Sequence, residues 1–206
     1  MKRKAIEDLK KWRDDPERKP MVLRGARQVG KTWLMKELGQ NYYDSYVYFN
    51  FDEEDELKSI FEANKNPQRI IELLSLIAGE RILPEKTLII FDEIQQSNKA
   101  LNSLKYFCED APQYHIMAAG SLLGVSLSQG DSFPVGKVEF LNMYPVTFRE
   151  FLCADNPQMY EYLDTLIDIG PLPEIVMGKV SESWRRYQVC GGMPAAVTAL
   201  LANQGI

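Results

Sequence analysis

This sequence predicts an α/β fold: a mainly parallel five-stranded sheet with helices on both faces, followed by a small helical C-terminal extension. Three observations predict it. Short apolar runs alternate with segments of helical period; one run, residues 87–91, is apolar almost throughout; and a glycine turn joins the first run to a helix.

Taken in order, Ile6, Leu9 and Trp12 stand at helical spacing ahead of the polar break Asp14-Asp15-Pro16-Glu17. Met21-Val22-Leu23 reads as a buried strand running into Gly25. Residues 31–39 read as a helix that Gly39 stops. Residues 46–51, rich in aromatic and β-branched side chains, suit a second strand. Acidic residues then lead into helices over about 53–63 and 67–81, and residues 87–91 form a strand covered on both faces. A helix over 101–108, a buried strand over 114–119 and a fifth strand over 137–141 complete the sheet. Past Pro145 only helical periods remain, over 148–154, 159–169 and 181–189, with Pro171 and Pro173 between them. The domain boundary is therefore placed at residue 160, with 1–160 as the core and 161–206 as the extension.

The chain's 206 residues suit one large domain with an appendage, and its net charge of −5 argues against a broad polyanion-binding surface. Lys2, Arg3, Lys4, Lys10, Lys11 and Arg13 make the densest basic cluster, which reads as a solvated helix face. Cys108, Cys153 and Cys190 lack metal-ligand spacing and read as reduced thiols, and one histidine, His115, cannot build a histidine-rich metal site. The basic start Met1-Lys2-Arg3-Lys4 is not followed by an apolar run, so it is not a signal peptide. The longest stretch without charge, 111–130, is broken by Pro112, Gln113, Gly120 and Gly124 and makes a poor membrane span. A soluble, cytoplasmic protein is expected.

Two motifs carry chemistry. Gly25-Ala26-Arg27-Gln28-Val29-Gly30-Lys31-Thr32 matches G-x-x-x-x-G-K-[ST], a P-loop or Walker A pattern. Its glycines let the backbone curl so that successive N–H groups face phosphate oxygens, while Lys31 supplies a point charge and the Thr32 hydroxyl a ligand for Mg²⁺. The helix that follows adds its positive end. The four fixed positions arise by chance in about one chain per hundred of this length, and the strand before and helix after lower that further. The second motif is Asp92-Glu93, closing the apolar run Leu88-Ile89-Ile90-Phe91 as a Walker B pattern. Ligands of open α/β sheets gather at the carboxyl ends of strands. Asp92 is expected to hold Mg²⁺ through its water shell, and Glu93 to orient the water that attacks the γ-phosphate. An Asp-Glu pair by itself would equally suit the cap of a following helix.

Together these motifs resemble the AAA+ and STAND branch of P-loop ATPases. Arg24 to Thr32 and Phe91-Asp92-Glu93-Ile94-Gln95 resemble one bacterial and archaeal family that joins an AAA-type ATPase domain to a C-terminal restriction-endonuclease-like domain of unknown function. The likeness extends through Ala119-Gly120-Ser121, Tyr144-Pro145-Val146-Thr147-Phe148-Arg149-Glu150-Phe151-Leu152 and Gly191-Gly192-Met193-Pro194. It implies Mg-ATP binding and hydrolysis by a switch or motor, with Ser121 sensing the γ-phosphate and Pro194 near the adenine. A Gly-Ser turn and a proline opening a helix are the plainer readings of those two positions. Where the family usually carries Gly-Arg before the fifth strand, this chain has Gly136-Lys137, and lysine lacks arginine's planar fork. Arg149, Arg185 and Arg186 are finger candidates by charge alone and read as solvated. The resemblance also implies that the family continues past residue 206, so this chain reads as a partial product.

Two rival functions differ in class. One is a P-loop kinase passing phosphate to a small acceptor, which the Asp92-Glu93 pair disfavours; the other is a nucleotide-sensing module with negligible turnover. The guanine-reading N/T-K-x-D and dinucleotide G-x-G-x-x-G patterns are absent. A homo-oligomer or protein partner follows from the resemblance, as does nucleic acid by family analogy alone. No membrane partner is expected.

Overall fold

The computed structural model describes residues 2–53, 55–120, 134, 136–166 and 170–202. The described elements run α1 (Ala5–Asp14), β1 (Met21–Arg24), α2 (Lys31–Tyr42), β2 (Ser45–Asn50), α3 (Asp55–Ala63), α4 (Pro67–Ala78), β3 (Thr87–Asp92), a 3₁₀ turn (Ile94–Gln96), α5 (Asn98–Asp110), β4 (His115–Ala119) and β5 (Glu139–Asn142). Four helices follow: α6 (Phe148–Asp155), α7 (Pro157–Asp164), α8 (Glu174–Cys190) and α9 (Pro194–Ala202). Two compact units result, one of Glu7–Met143 and one of Met1–Ile6 with Tyr144–Ile206.

In the first unit the five strands lie in the order β2-β3-β4-β1-β5, and every pairing is parallel. All their carboxyl ends therefore share one edge. Alternation along each strand splits the side chains between two faces. Val22, Val47, Phe49, Ile89, Phe91, Ile116 and Ala118 point one way, into a core completed by Leu57 and Phe61 of α3, Ile70 and Leu74 of α4, and Leu104 and Phe107 of α5. Phe51, Phe61 and Phe91 meet there with ring centroids 5.6–5.7 Å apart. The residues of opposite parity, including Met21, Leu23, Leu88, Ile90 and Met117, are equally buried. α2 packs on β2, β3 and β4.

Local chemistry sets the helix ends. Asn66 caps α4 by accepting from the Arg69 N–H, Pro67 opens it, and left-handed Gly79 closes it. Ser97 caps α5 by accepting from the Ala100 N–H. Gly39, in contrast, does not stop α2, which runs on to Tyr42. A Cβ at residue 39 would lie 2.7 Å from Cβ and 2.8 Å from Cγ of Tyr46. The glycine is there for close approach to β2, not for termination.

In the second unit Val146, Phe151 and Val197 form a small core flanked by Phe148, Tyr187 and Leu200. Thr147 and Glu150 make a reciprocal capping box on α6. The Glu150 carboxylate also accepts from Arg3 Nε at 3.1 Å, and Arg3 donates to the Tyr144 carbonyl. α8 begins at Glu174, seven residues before the helix expected from 181, and α7 ends at Asp164. No described helix is long and apolar enough to cross a membrane.

Candidate nucleotide-binding site

The carboxyl edge of the sheet gathers the two sequence motifs. β1 runs into Gly25, whose φ of 151° brings it so near the chain that a Cβ there would lie 2.2 Å from the Met143 carbonyl oxygen. Gln28 (φ 64°) and Gly30 (φ 94°) then turn the loop through left-handed conformations into α2. α2 starts at Lys31 after Gly30, which has no side chain with which to cap it. A helix start of this kind attracts anions.

Lys31 is 7% exposed, and its Nζ donates to the carbonyls of Gly25 (2.9 Å) and Ala26 (2.8 Å). Burial pushes its pKa down, while the carboxylates of Glu93 and Asp92 oppose that shift. The next residue makes the decisive contact: Thr32 Oγ1 donates to Asp92 Oδ2 at 2.6 Å, across 60 residues of sequence. Asp92 is 5% exposed at the end of β3. Its Oδ1 accepts from the Glu93 N–H at 3.0 Å, and its Oδ2 takes a second donor, the Tyr48 hydroxyl of β2, also at 3.0 Å. Burial, first, and the neighbouring Asp92 carboxylate raise the Tyr48 pKa, which keeps that hydroxyl a donor.

Glu93 has a φ of 49°, so two of the three non-glycine residues with positive φ among the described residues, Gln28 and Glu93, belong to this site. Such strain persists where surrounding structure holds it and is frequent at functional sites. The Glu93 carboxylate accepts from Gln95 Nε2. Arg27, Gln28, Gly30, Lys31, Thr32, Trp33, Asp92 and Glu93 line an open cleft of about 330 Å³. A larger cleft of about 590 Å³ between α3 and α5, walled by Lys65, Lys99 and Lys105, holds none of the motif residues.

The oxygen donors Thr32 and Asp92 suit a hard divalent cation such as Mg²⁺. Among the described residues no group of three or more His, Cys, Asp or Glu could cage a metal.

The other sequence candidates fall elsewhere. Ser121 lies outside the described residues; β4, which precedes it, sits between β1 and β3. Lys137 pairs with Glu109 at 2.8 Å just before β5, at the amino end of that strand and so on the opposite edge from the phosphate loop. Arg149 pairs with Asp164, and Arg186 with Asp155 at 2.6 Å. Pro194 opens α9 in the second unit. Tyr48 and Gln95 join the site through contacts that neither motif assigns. Tyr48's signal was present in the alternation Tyr46-Val47-Tyr48-Phe49-Asn50, which puts it on the face opposite the phenylalanines.

A family model described as an AAA domain matches residues 17–152. The chain belongs to the AAA domain family. Among solved structures, this AAA domain is similar to PCH-2 from C. elegans, at 16% identity over 88% of this chain and 59% of that one with a TM-score of 0.43. It is also similar to AMPPCP-bound DnaA from Aquifex aeolicus, at 12% identity over 99% of this chain and 62% of that one with a TM-score of 0.52. The AAA domain thus spans about three-fifths of each of those chains. The DnaA likeness supports the fold and nothing finer. No curated protein matches the sequence.

Proposed function

We propose that this AAA domain binds Mg-ATP at residues 25–32 and hydrolyses it, acting as a nucleotide-driven switch or motor. The observation that carries the reading is the 2.6 Å hydrogen bond between Thr32 and Asp92, which unites the phosphate loop with the acidic strand end. Family membership supports nucleotide binding, and the DnaA neighbour is bound to an ATP analogue.

In this reading the loop amides and the start of α2 receive the phosphates, and Lys31 moves its donors from the Gly25 and Ala26 carbonyls to phosphate oxygens. Thr32 and Asp92 hold Mg²⁺, which when bound neutralises charge on the phosphate oxygens. Glu93 accepts a hydrogen bond from the attacking water and fixes its line of approach. Ser121 as γ-phosphate sensor and Pro194 near the adenine are further parts of the proposal. So are the cytoplasmic location, a homo-oligomer or protein partner, nucleic acid, and the likeness to AAA domains joined to an endonuclease-like domain.

One observation favours the second reading, a nucleotide-sensing module with negligible turnover. Lys31 and Glu93 are both engaged internally, by backbone carbonyls and by Gln95. Steady-state ATPase assays with nucleotide binding measured in parallel separate the two. Lys31→Ala is expected to lose binding, and Glu93→Gln to keep it while turnover falls about 10²- to 10⁴-fold. Unchanged turnover in Glu93→Gln overturns the hydrolytic role of Glu93.

A further inference from the structure

We propose that Tyr48 is a positioning residue for the metal half of this site, aiming the Asp92 carboxylate so that Oδ1 faces the water shell of the bound ion. The proposal rests on the reading of residues 25–32 as an Mg-ATP site. A carboxylate offers about four lone-pair positions, two on each oxygen. On Asp92, Thr32 and Tyr48 occupy both positions of Oδ2, and the Glu93 N–H takes one on Oδ1. Among the described residues, that leaves one position, on Oδ1, for a metal-bound water.

Thr32 can keep donating to Asp92 while its own lone pairs face the ion, so the Oδ2 pair of donors need not break on binding. Without the Tyr48 hydroxyl, Oδ2 regains a free position and the carboxylate can turn about its Cβ–Cγ bond. Tyr48 is itself held: it lies on β2 opposite Ile90, two residues before Asp92, and Lys36 Nζ sits 3.7 Å from its ring centroid. A phenylalanine at 48 would preserve the strand, the ring and the Lys36 contact, and remove the hydroxyl alone.

The test uses the full chain as wild type and as Tyr48→Phe. Mn²⁺ bound in the presence of ADP is titrated by electron paramagnetic resonance, and ADP binding is measured separately in EDTA. Partners behind a metal ligand typically change metal affinity by about 10- to 100-fold, and because Asp92 acts through water about tenfold weaker Mn²⁺ binding is expected. ADP binding in EDTA is expected to stay unchanged. If Tyr48→Phe only lowers the melting temperature while its Mn²⁺ titration overlays that of wild type, the positioning role is overturned. If wild type itself shows no nucleotide-dependent Mn²⁺ binding, the Mg-ATP reading is what fails.

Discussion

Acidification is expected to destabilise the sheet-bearing unit through His115, the first residue of β4. It is 5% exposed, and Tyr43 Oη and its Nδ1 share a hydrogen bond of 2.7 Å. Nε2 is buried with no hydrogen-bond partner among the described residues, and the rings of Trp12 and Tyr43 stand edge-on at 6.1 and 5.4 Å. Burial, then the positive charges of Arg18 and Arg13, lower the His115 pKa from 6.5 to about 4, against a small opposing pull from Asp14. The unfolded chain therefore binds a proton near pH 6.5 that the folded chain refuses until about pH 4. Stability is complete above pH 6.5 and falls as pH drops towards 4. Over the whole window the loss is roughly 3 kcal/mol, and between pH 7 and pH 5 it is about 2 kcal/mol.

Denaturant unfolding of wild type and His115→Phe at pH 7, 6 and 5 measures this loss. The variant starts less stable by about 1–3 kcal/mol, because the Tyr43 hydroxyl loses its hydrogen-bond partner, but its slope with pH should flatten. His115 is the chain's one histidine, so its ring resonance reports the native pKa directly. A folded-state titration near 6.5, or parallel pH slopes for the two proteins, would refute the reasoning. Glu150 does not confuse the window. Burial pushes its pKa up, but the N–H groups of Thr147 and Lys4 and the Arg3 guanidinium outweigh that and hold it below its ordinary value. Its stabilisation is present above the unfolded carboxyl pKa of 4.5 and is lost below it, so it stays nearly constant over the pH 7 to 5 range of the assay.

Two glycine substitutions test the packing. Gly39→Ala gains about 1 kcal/mol of helix propensity but forces a methyl into Tyr46, so a lower denaturation midpoint is expected, against the rise that propensity alone would give. Gly25→Ala meets the Met143 backbone carbonyl, which cannot swing aside as a side chain would; a loss of about 2–4 kcal/mol in urea unfolding and at least tenfold weaker ATP binding are expected.

Much of the fold was legible because the inner strands β1, β3 and β4 are buried on both faces. Runs such as Leu88-Ile89-Ile90-Phe91 have few other uses, and their alternation with helices implies parallel pairing. The central site was legible because the phosphate loop is contiguous, and because Asp92-Glu93 ends a strand whose partners end at the same edge. What escaped depends on contacts between segments. Gly39 looked like a helix stop, since a glycine near a helix end and a glycine under a neighbouring tyrosine leave the same trace in sequence. The first turns of α8 were hidden by Gly178, which local propensity counts against a helix. Tyr48 could be put on a face by alternation, but only the β2–β3 register brings its hydroxyl to Asp92.

α2 touches β2 and β3 at three levels: Thr32 at Asp92, Lys36 over Tyr48, and Gly39 against Tyr46. The spacings of four and three residues keep all three on one stripe of the helix. A single residue inserted or deleted between Thr32 and Gly39 would turn the lower part of α2 by about 100° and carry the glycine off the tyrosine. The length of this helix from phosphate loop to Gly39 is therefore fixed by the phase of its own winding, a constraint that its outer face does not share.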